Sequence, residues 1–259
     1  MSNALLQVEN VSRFYRLPRR SLFRAPPILA AVQDASFTLE RGRTLGIVGE
    51  SGSGKSTLAR MIMAFEAPDK GTILFEGHDL NALGRAELRQ LRRRFQMVFQ
   101  DPFGSLDPRR RVGWSVAEPL RVLRDGRDIA GAVAEVLADV GLTRSDADKY
   151  PHEFSGGQRQ RIAIARAIIT RPTLLVADEA VSALDVSVQA QILNLFLDLQ
   201  DKLGLGIVFI SHDMAVVASI CDQVLVMRKG RILESGAAHD VLNTPAHPYT
   251  KSLLKAAGT

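Results

Sequence analysis

The sequence is poor in cysteine, with Cys221 as its single thiol among 259 residues. One cysteine excludes an internal disulfide and any metal site that is built from several cysteines. We expect Cys221 to pack as a small buried hydrophobic side chain rather than to act as a reactive thiol. A reducing cytoplasm is therefore the default environment for this chain.

Long apolar runs are also lacking. No stretch approaches the ~18 uninterrupted apolar residues that a helix needs to cross a bilayer, and the N-terminus lacks the layout of a signal peptide. The hydrophobic fraction of 46% and the charged fraction of 24% are those of an ordinary globular protein. A chain of this length can bury a sizeable core, in one large domain or two small ones.

The net charge of +5 is compatible with a nucleic-acid partner, an anionic membrane surface, or only a basic exterior. Arginines concentrate in three clusters, at residues 13–24, 89–94 and 109–111. The second cluster lies on a predicted helix, residues 82–94, whose apolar leucines face the other way, so a solvated helix face explains it. Aromatic residues do not interleave regularly with these arginines, as single-strand binding would favour. We therefore expect no nucleic-acid partner.

Residues 49–56 have the sequence GESGSGKS, which fits the phosphate-binding pattern G-x-x-x-x-G-K-[ST]. An apolar run at 44–48 predicts a buried strand before the loop, and residues 56–63 predict a helix after it. The tight turn needs glycines, whose bare N–H groups then face the phosphates beside the positive end of the helix. Lys55 supplies a cation for the β- and γ-phosphates, and the Ser56 hydroxyl is placed for Mg²⁺. A chance Gly/Ser-rich turn would not require this order, so the sequence predicts a nucleotide site.

A second predicted strand end supplies acidic groups. Residues 174–178 are apolar until Asp178, and Glu179 follows directly. Ligands gather at the carboxyl ends of parallel strands, so we expect Asp178 to hold Mg²⁺ there. Glu179 is then the natural general base or water-positioning group. An acidic pair after a strand can also be a helix N-cap, but a phosphate loop in the same chain favours the metal site.

Three further features gain their meaning from their order in the chain. Residues 154–158, FSGGQ, lead into a predicted helix and make a second anion-binding N-terminus. A simple N-cap would use Ser155 without needing two glycines followed by Gln158. Gln100 ends a predicted strand, from which it can reach Mg²⁺ or the attacking water. His212 ends another strand; a single such histidine is more often structural than catalytic.

The remaining pattern predicts an α/β fold with a helical insertion. The block 101–154 shows no convincing strand, and its first eight residues are rich in turn formers. Residues 16–28 combine proline and arginine and predict an irregular exposed loop. A hairpin is expected at 223–234, and the tail from residue 237 is expected to be helical in part. The other predicted strands lie at 5–9, 35–40, 72–75, 95–99 and 206–210, and the other predicted helices at 114–124, 128–140, 158–170 and 185–204.

Together these motifs resemble those of the nucleotide-binding domain of ATP-binding-cassette (ABC) proteins, over essentially the whole chain. The resemblance makes residues 49–56 the Walker A loop, 154–158 the signature motif, 176–179 Walker B and 182–185 the D-loop. Phe154 stands where the family more often has leucine. The resemblance also implies catalytic roles for Glu179, His212, Gln100 and Lys55, and Mg²⁺ ligation by Ser56, Gln100 and Asp178. The implied ATP contacts are Tyr15 (with Phe14 as its competitor for stacking on adenine), Gly49, Glu50, Ser51, Gly52, Ser53, Gly54, Lys55, Ser56, Thr57, Ser155, Gly156, Gly157, Gln158 and Asp185.

The resemblance further implies a P-loop NTPase (RecA-like) α/β core with an antiparallel β subdomain and an inserted α-helical subdomain. The expected boundaries within 1–259 are 1–100 and 155–236 for the core, 101–154 for the helical subdomain and 237–259 for the tail. In this family two cassettes close head-to-tail with ATP between them. This chain carries one copy of each motif, so it needs a second cassette, identical or distinct.

Three segments are similar to ATPases of dipeptide, oligopeptide and nickel importers: 97–109, 179–191 and 247–250. That similarity implies a subunit at the cytoplasmic face of the bacterial inner membrane, working with two transmembrane permease subunits and an extracytoplasmic solute-binding protein. A nickel or other small-solute importer remains an alternative. Two other classes of protein fit less well. One is a soluble cassette ATPase that acts on nucleic acid. The other is a non-cassette P-loop enzyme such as a kinase, in which residues 155–158 would have no explanation.

Overall fold

The computed structural model describes residues 4–19, 26–124 and 126–257. Its strands are β1 (Ala4–Arg16), β2 (Ile28–Glu40), β3 (Thr44–Val48), β4 (Lys70–Phe75), β5 (His78–Asp79), β6 (Phe95–Val98), β7 (Leu174–Asp178), β8 (Gly206–Ser211), β9 (Gln223–Arg228) and β10 (Arg231–Ala237). Its α-helices are α1 (Lys55–Ile62), α2 (Arg85–Leu91), α3 (Pro102–Ser105), α4 (Val112–Leu123), α5 (Ile129–Asp139), α6 (Gly156–Ile168), α7 (Val186–Leu203), α8 (Met214–Ile220), α9 (Ala238–Asn243) and α10 (Pro248–Ala257). Short 3-10 helices cover Arg144–Asp148 and Pro151–Glu153.

The chain folds into two compact units. Unit 1 comprises residues 1–40, 44–84 and 210–259, and unit 2 comprises 41–43 and 85–209. The subdomain boundaries expected from the sequence, at residues 100, 155 and 236, stay a prediction. Among the helices that the described residues form, none has the length and apolarity to span a membrane.

The first sheet of unit 1 has the antiparallel order β2-β1-β4-β5. Strands β1 and β2 are 13 residues each, much longer than the predicted strands at 5–9 and 35–40. Their extra pairing runs beyond the predicted strands, through residues 10–15 and 29–34, as far as the pair Arg16 and Ile28, which are the first and last residues of the predicted loop. The sequence did not indicate this extension, because the side chains of the added strand residues are largely exposed and do not alternate between apolar and polar. The loop predicted at 16–28 is therefore shorter, and its residues 20–25 lie outside the described part of the chain.

Unit 1 also contains the strand that precedes the phosphate loop. All five residues of β3 are buried, which agrees with the apolar run in the sequence. Strand β9 pairs with it in parallel, from Leu45 opposite Gln223 to Val48 opposite Val226. Strand β10 forms the predicted antiparallel hairpin with β9. Helix α8, which the sequence analysis did not predict, packs on β3 and ends at the buried Cys221, as expected for a small apolar side chain.

Unit 2 combines parallel strands with most of the helices. Strand β6 pairs in parallel with β7, with Phe95 opposite Leu174 and Val98 opposite Ala177, and β8 lies next to β7. Helix α6 packs against α3, α4, α5 and β6. The described residues of 101–154 form helices and no strand, as predicted for this block; that it is a separate inserted subdomain stays a prediction. The turn-rich start of that block was not predicted to be helical, yet α3 forms there.

Candidate functional site

The phosphate loop of unit 1 connects β3 to α1 through two glycines that no other residue can replace without a clash. A Cβ on Gly49 would lie 2.2 Å from the carbonyl oxygen of Met227. Gly54, the N-cap of α1, has a φ of 109°, and a Cβ on it would lie 2.3 Å from the carbonyl oxygen of Ala31. Neighbouring backbone therefore fills the space beside both residues, and the loop keeps its course only with glycine at these positions.

Lys55, the first residue of α1, packs against this loop with only 4% of its surface exposed. Its Nζ donates to the carbonyl oxygen of Gly49 at 2.7 Å and to that of Glu50 at 3.1 Å. The buried hydroxyl of Ser53 has no hydrogen-bond partner among the residues that the structure describes. A buried cation and an unsatisfied hydroxyl beside a helix N-terminus are what a phosphate group would complete. The loop therefore fits the triphosphate that the sequence predicts.

In unit 2, the ends of β6 and β7 bring Gln100 and Glu179 together. The amide nitrogen Nε2 of Gln100 donates to Oε2 of Glu179 at 2.9 Å. Glu179 has a left-handed backbone, with a φ of 49°, and its carbonyl oxygen accepts from the amide and the hydroxyl of Ser182. The sequence placed both residues at strand ends, and the parallel pairing of those strands explains their contact.

Residues 155–158 have a local structural role that the sequence analysis underestimated. Oγ of Ser155 accepts from the amide of Gln158 at 3.3 Å, and Oε1 of Gln158 accepts from the amide of Ser155 at 2.9 Å. This reciprocal pair is a capping box, which the spacing S-x-x-Q indicates. A Cβ on Gly157 would lie 2.4 Å from Cγ1 of Val188. The expectation that a simple cap needs neither this glycine nor Gln158 was therefore wrong, because helix packing and capping use both.

Asp185 also caps a helix. Its carboxylate accepts from the amide of Val188 at 2.9 Å and from the hydroxyl of Ser187 at 2.8 Å. These hydrogen bonds, that from Val188 first, hold the pKa of Asp185 below its ordinary value. Asp185 is exposed, and its predicted contact with nucleotide stays a prediction.

The predicted adenine-stacking residue, Tyr15, is held in place at both ends of its side chain. Its hydroxyl donates to Oε2 of Glu66 at 2.5 Å, and the guanidinium of Arg13 lies 5.0 Å from the ring centroid. The competing residue, Phe14, is 36% exposed. His212 is exposed just beyond β8 in unit 1, as the sequence predicted.

The metal ligands predicted from the sequence are a hydroxyl, an amide and one carboxylate. Mg²⁺ is commonly bound by one or two carboxylates together with substrate phosphates. The described residues contain no group of three or more His, Cys, Asp or Glu that could hold a metal ion. Ser56 lies in unit 1, and Gln100 and Asp178 lie in unit 2; their predicted ligation of Mg²⁺ stays a prediction.

Sequence reasoning missed one contact to the loop. The amide of Glu50 donates to the hydroxyl of Tyr249 at 3.4 Å, although the two residues are 199 positions apart. The similarity of residues 247–250 to importer ATPases marked this segment, but no periodicity or spacing indicates where it lies.

A glycine loop closed over a buried lysine at a helix N-terminus, on a mixed α/β fold, defines a P-loop ATPase. The chain belongs to the ABC transporter family, because the family model described as "ABC transporter" matches residues 32–182. This result confirms the predicted family, its α/β fold class and its ATPase activity.

Individual proteins show the same similarity over nearly the whole chain. The chain is 49% identical over 259 residues to the probable peptide ABC transporter ATP-binding protein y4tS of Sinorhizobium fredii, covering 99% of this chain and 73% of that protein. It is 48% identical over 255 residues to the dipeptide transport ATP-binding protein DppF of Haemophilus influenzae, covering 97% and 77%. Among solved structures, it resembles the dimeric post-hydrolysis state of the ATP-binding cassette MJ0796 bound to ADP and Pi, with a TM-score of 0.78, 27% identity, and coverage of 90% of this chain and 98% of that chain.

Proposed function

We propose that this chain is the ATP-hydrolysing subunit of a bacterial importer of di- or oligopeptides. The observation that carries this proposal is the 48–49% identity, along nearly the whole chain, to two proteins named for peptide and dipeptide transport. The segments at 97–109, 179–191 and 247–250 support the same subfamily. A nickel or other small-solute importer of that subfamily is the alternative.

The proposed mechanism depends mainly on positioning and on neutralising charge, as phosphoryl transfer does in general. Lys55 leaves the carbonyl groups of its own loop to contact the β- and γ-phosphates, and Tyr15 stacks on the adenine. Mg²⁺, held by Ser56, Gln100 and Asp178, neutralises charge on the phosphate oxygens when it is bound.

The attacking water is assigned to Glu179, which orients it and accepts its proton. The hydrogen bond from Gln100 supports this role, because it holds the carboxylate in one orientation. His212 is assigned to the charge that develops on the transferred phosphoryl group. These roles follow the family resemblance, and substitution of each residue tests them.

The proposed partner is a second cassette, identical or distinct, that pairs head-to-tail with this one. The signature turn at 155–157 of each cassette would then face the γ-phosphate bound by the other. A related cassette has been solved as a dimer with ADP and Pi, which supports the pairing. We also assign two membrane permeases and, through them, an extracytoplasmic solute-binding protein, which would place the chain at the cytoplasmic face of the inner membrane.

The proposal is tested by isolating the complex from its native membrane. The tagged chain is extracted in mild detergent, its partners are identified, and the complex is reconstituted in liposomes with the solute-binding protein. We expect permeases to co-purify and ATP to drive uptake of a radiolabelled dipeptide. Uptake of Ni²⁺ in place of the dipeptide would favour the alternative, and co-purification with RNA or DNA instead of permeases would contradict an importer.

A further inference from the structure

Residues 246–250 of unit 1 comprise the bend before α10 and the first turn of that helix, and one carboxylate fixes this segment, called the bend below. Glu234, on β10, accepts from the amide of Ala246 at 2.7 Å, from the amide of His247 at 3.1 Å, and from the hydroxyl of Thr250. Burial alone would raise the pKa of Glu234, but these hydrogen bonds hold it below its ordinary value. Thr250 is completely buried. The bend is therefore part of the packed structure of unit 1.

This bend presents Tyr249 to the phosphate loop. Only 5% of Tyr249 is exposed, the guanidinium of Arg228 lies 4.4 Å from its ring centroid, and its amide donates to Nδ1 of His247 at 3.0 Å. The phenol is neutral near pH 7, as an ordinary tyrosine is, and burial raises its pKa further. Its oxygen has lone pairs that accept hydrogen bonds. A rigid, neutral acceptor is thus held beside Glu50.

Tyr249 and Lys55 bind opposite ends of the same peptide group. The peptide between residues 49 and 50 has its carbonyl oxygen on Gly49, which accepts from Lys55 at 2.7 Å. Its N–H belongs to Glu50 and donates to the Tyr249 hydroxyl at 3.4 Å. Because the C=O and N–H of a trans peptide point in opposite directions, the two contacts fix the plane of this peptide from both sides.

We propose that Tyr249 is a positioning residue for the phosphate loop, whose hydroxyl fixes the orientation of the 49–50 peptide and thereby the starting position of Lys55. The inference rests on the proposed role of Lys55 in binding the phosphates. Without the hydroxyl, the peptide is held only through its carbonyl oxygen by Lys55, and ATP must order the loop as it binds. Loss of the hydroxyl should therefore weaken nucleotide binding, because a preorganised loop loses less entropy when ATP binds. The rate of hydrolysis of bound ATP should change little.

The test compares two tyrosine-to-phenylalanine variants of the full chain by titration with a fluorescent ATP analogue. Tyr249→Phe removes the hydroxyl and keeps the ring against Arg228. We expect its Kd to rise about two- to tenfold, the effect of one hydrogen bond, with KM for ATP rising in parallel and kcat changing less than twofold. The matched control is Tyr150→Phe, a tyrosine of unit 2 that stacks on His152 and should leave the Kd unchanged.

A second variant separates positioning from folding. Glu234→Gln weakens the bend and should also raise the Kd for the ATP analogue. The double variant Glu234→Gln, Tyr249→Phe should raise the Kd by less than the two single effects combined. Both substitutions act through the same contact, that between Tyr249 and Glu50, so their effects are not additive. A lower melting temperature of Tyr249→Phe with an unchanged Kd would overturn the proposal and leave a purely structural tyrosine. If the wild-type chain bound no nucleotide, or if Lys55→Ala bound it as tightly, the proposed nucleotide role itself would fail.

Discussion

At the scale of single residues, the backbone of Glu179 is unusual. A left-handed conformation costs a residue with a Cβ about 1–2 kcal/mol, and Glu179 adopts it immediately after β7. Two hydrogen bonds from Ser182 to its carbonyl oxygen and one from Gln100 to its carboxylate offset this cost. Seven other described non-glycine residues also have a positive φ, so the hydrogen bond from Gln100, and not the strain, supports the proposed role of Glu179 in orienting water.

Glu179→Gln should retain ATP binding and lose roughly 10²-fold or more in turnover, because the amide cannot accept a proton from water. Binding is measured with a fluorescent ATP analogue and turnover by phosphate release. The matched control is Glu9→Gln, an exposed position on β1, which should change neither. Near-normal turnover of Glu179→Gln would remove this residue from the role of general base.

The two glycines of the signature turn are expected to respond differently to alanine. A Cβ on Gly157 would lie 2.4 Å from Val188, whereas a Cβ on Gly156 would have Leu184 as its nearest neighbour at 3.9 Å. Gly157→Ala should therefore lower the free energy of unfolding by about 1–3 kcal/mol. Gly156→Ala should leave it unchanged or raise it slightly, because alanine is the better helix former.

Urea unfolding without nucleotide measures this difference, so that any effect on ATP binding does not enter it. Equal stability of the two variants would mean that Val188 and the start of α7 move to accommodate the added methyl group without a loss of stability. Contact with nucleotide, and not helix packing, would then be the reason for glycine at position 157.

At the scale of elements, three helices of unit 2 begin with a side chain that accepts a hydrogen bond from a free amide of the first turn. Ser155 caps α6, Asp185 caps α7, and Asp128 caps α5 by accepting from the amides of Ala130 and Gly131. A cap contributes about 0.5–2 kcal/mol to stability. Ser155, like Asp185, is also predicted to contact nucleotide, whereas Asp128 is not.

Comparing substitutions of Ser155, the cap of α6, and Asp128, the cap of α5, separates helix capping from nucleotide binding. Ser155→Ala and Asp128→Ala should each lower the free energy of unfolding by about 1 kcal/mol. Only Ser155→Ala should also lower ATP turnover in the assembled, two-cassette complex, because Asp128 caps a helix outside the proposed site. Loss of stability without loss of turnover in Ser155→Ala would restrict Ser155 to capping.

At the scale of the whole molecule, a buried carboxylate links three parts of unit 2. Asp139, at the end of α5, has a side chain that is 4% exposed and accepts from Arg171 at 2.8 Å and from Lys202 at 2.6 Å. Burial alone would raise the pKa of Asp139, but these two cations hold it below its ordinary value. Its contribution to stability is therefore complete above the ordinary carboxylate pKa and is lost as the pH falls towards the lower pKa of the folded state.

Asp139→Asn should lower the free energy of unfolding by about 1.5–3 kcal/mol at pH 7, since hydrogen bonds to a charged group are lost. The difference from wild type should shrink at pH 4, where the unfolded chain begins to bind the proton. Urea unfolding at both pH values measures it. An undiminished difference at pH 4 would show that the cost comes from altered packing and not from charge.

The sequence determined the local chemistry of this protein. The phosphate loop, the acidic end of β7, the start of α7 near residue 185 and the helical character of the block at 101–154 each depend on residues close together in the chain, so spacing and periodicity predicted them. The same local pattern also contained the S-x-x-Q capping box, which was overlooked because the family motif offered another explanation for Ser155 and Gln158.

Only the tertiary structure decided which distant residues meet. The antiparallel pairing of β1 with β2 extends as far as Arg16 and Ile28, and Gln100 reaches Glu179 because β6 and β7 run in parallel. Tyr249 contacts Glu50 because hydrogen bonds to Glu234 hold residues 246–250 in place within unit 1. Such contacts follow from how the elements pack, and packing depends on the shape of the whole core, which no local stretch of sequence contains.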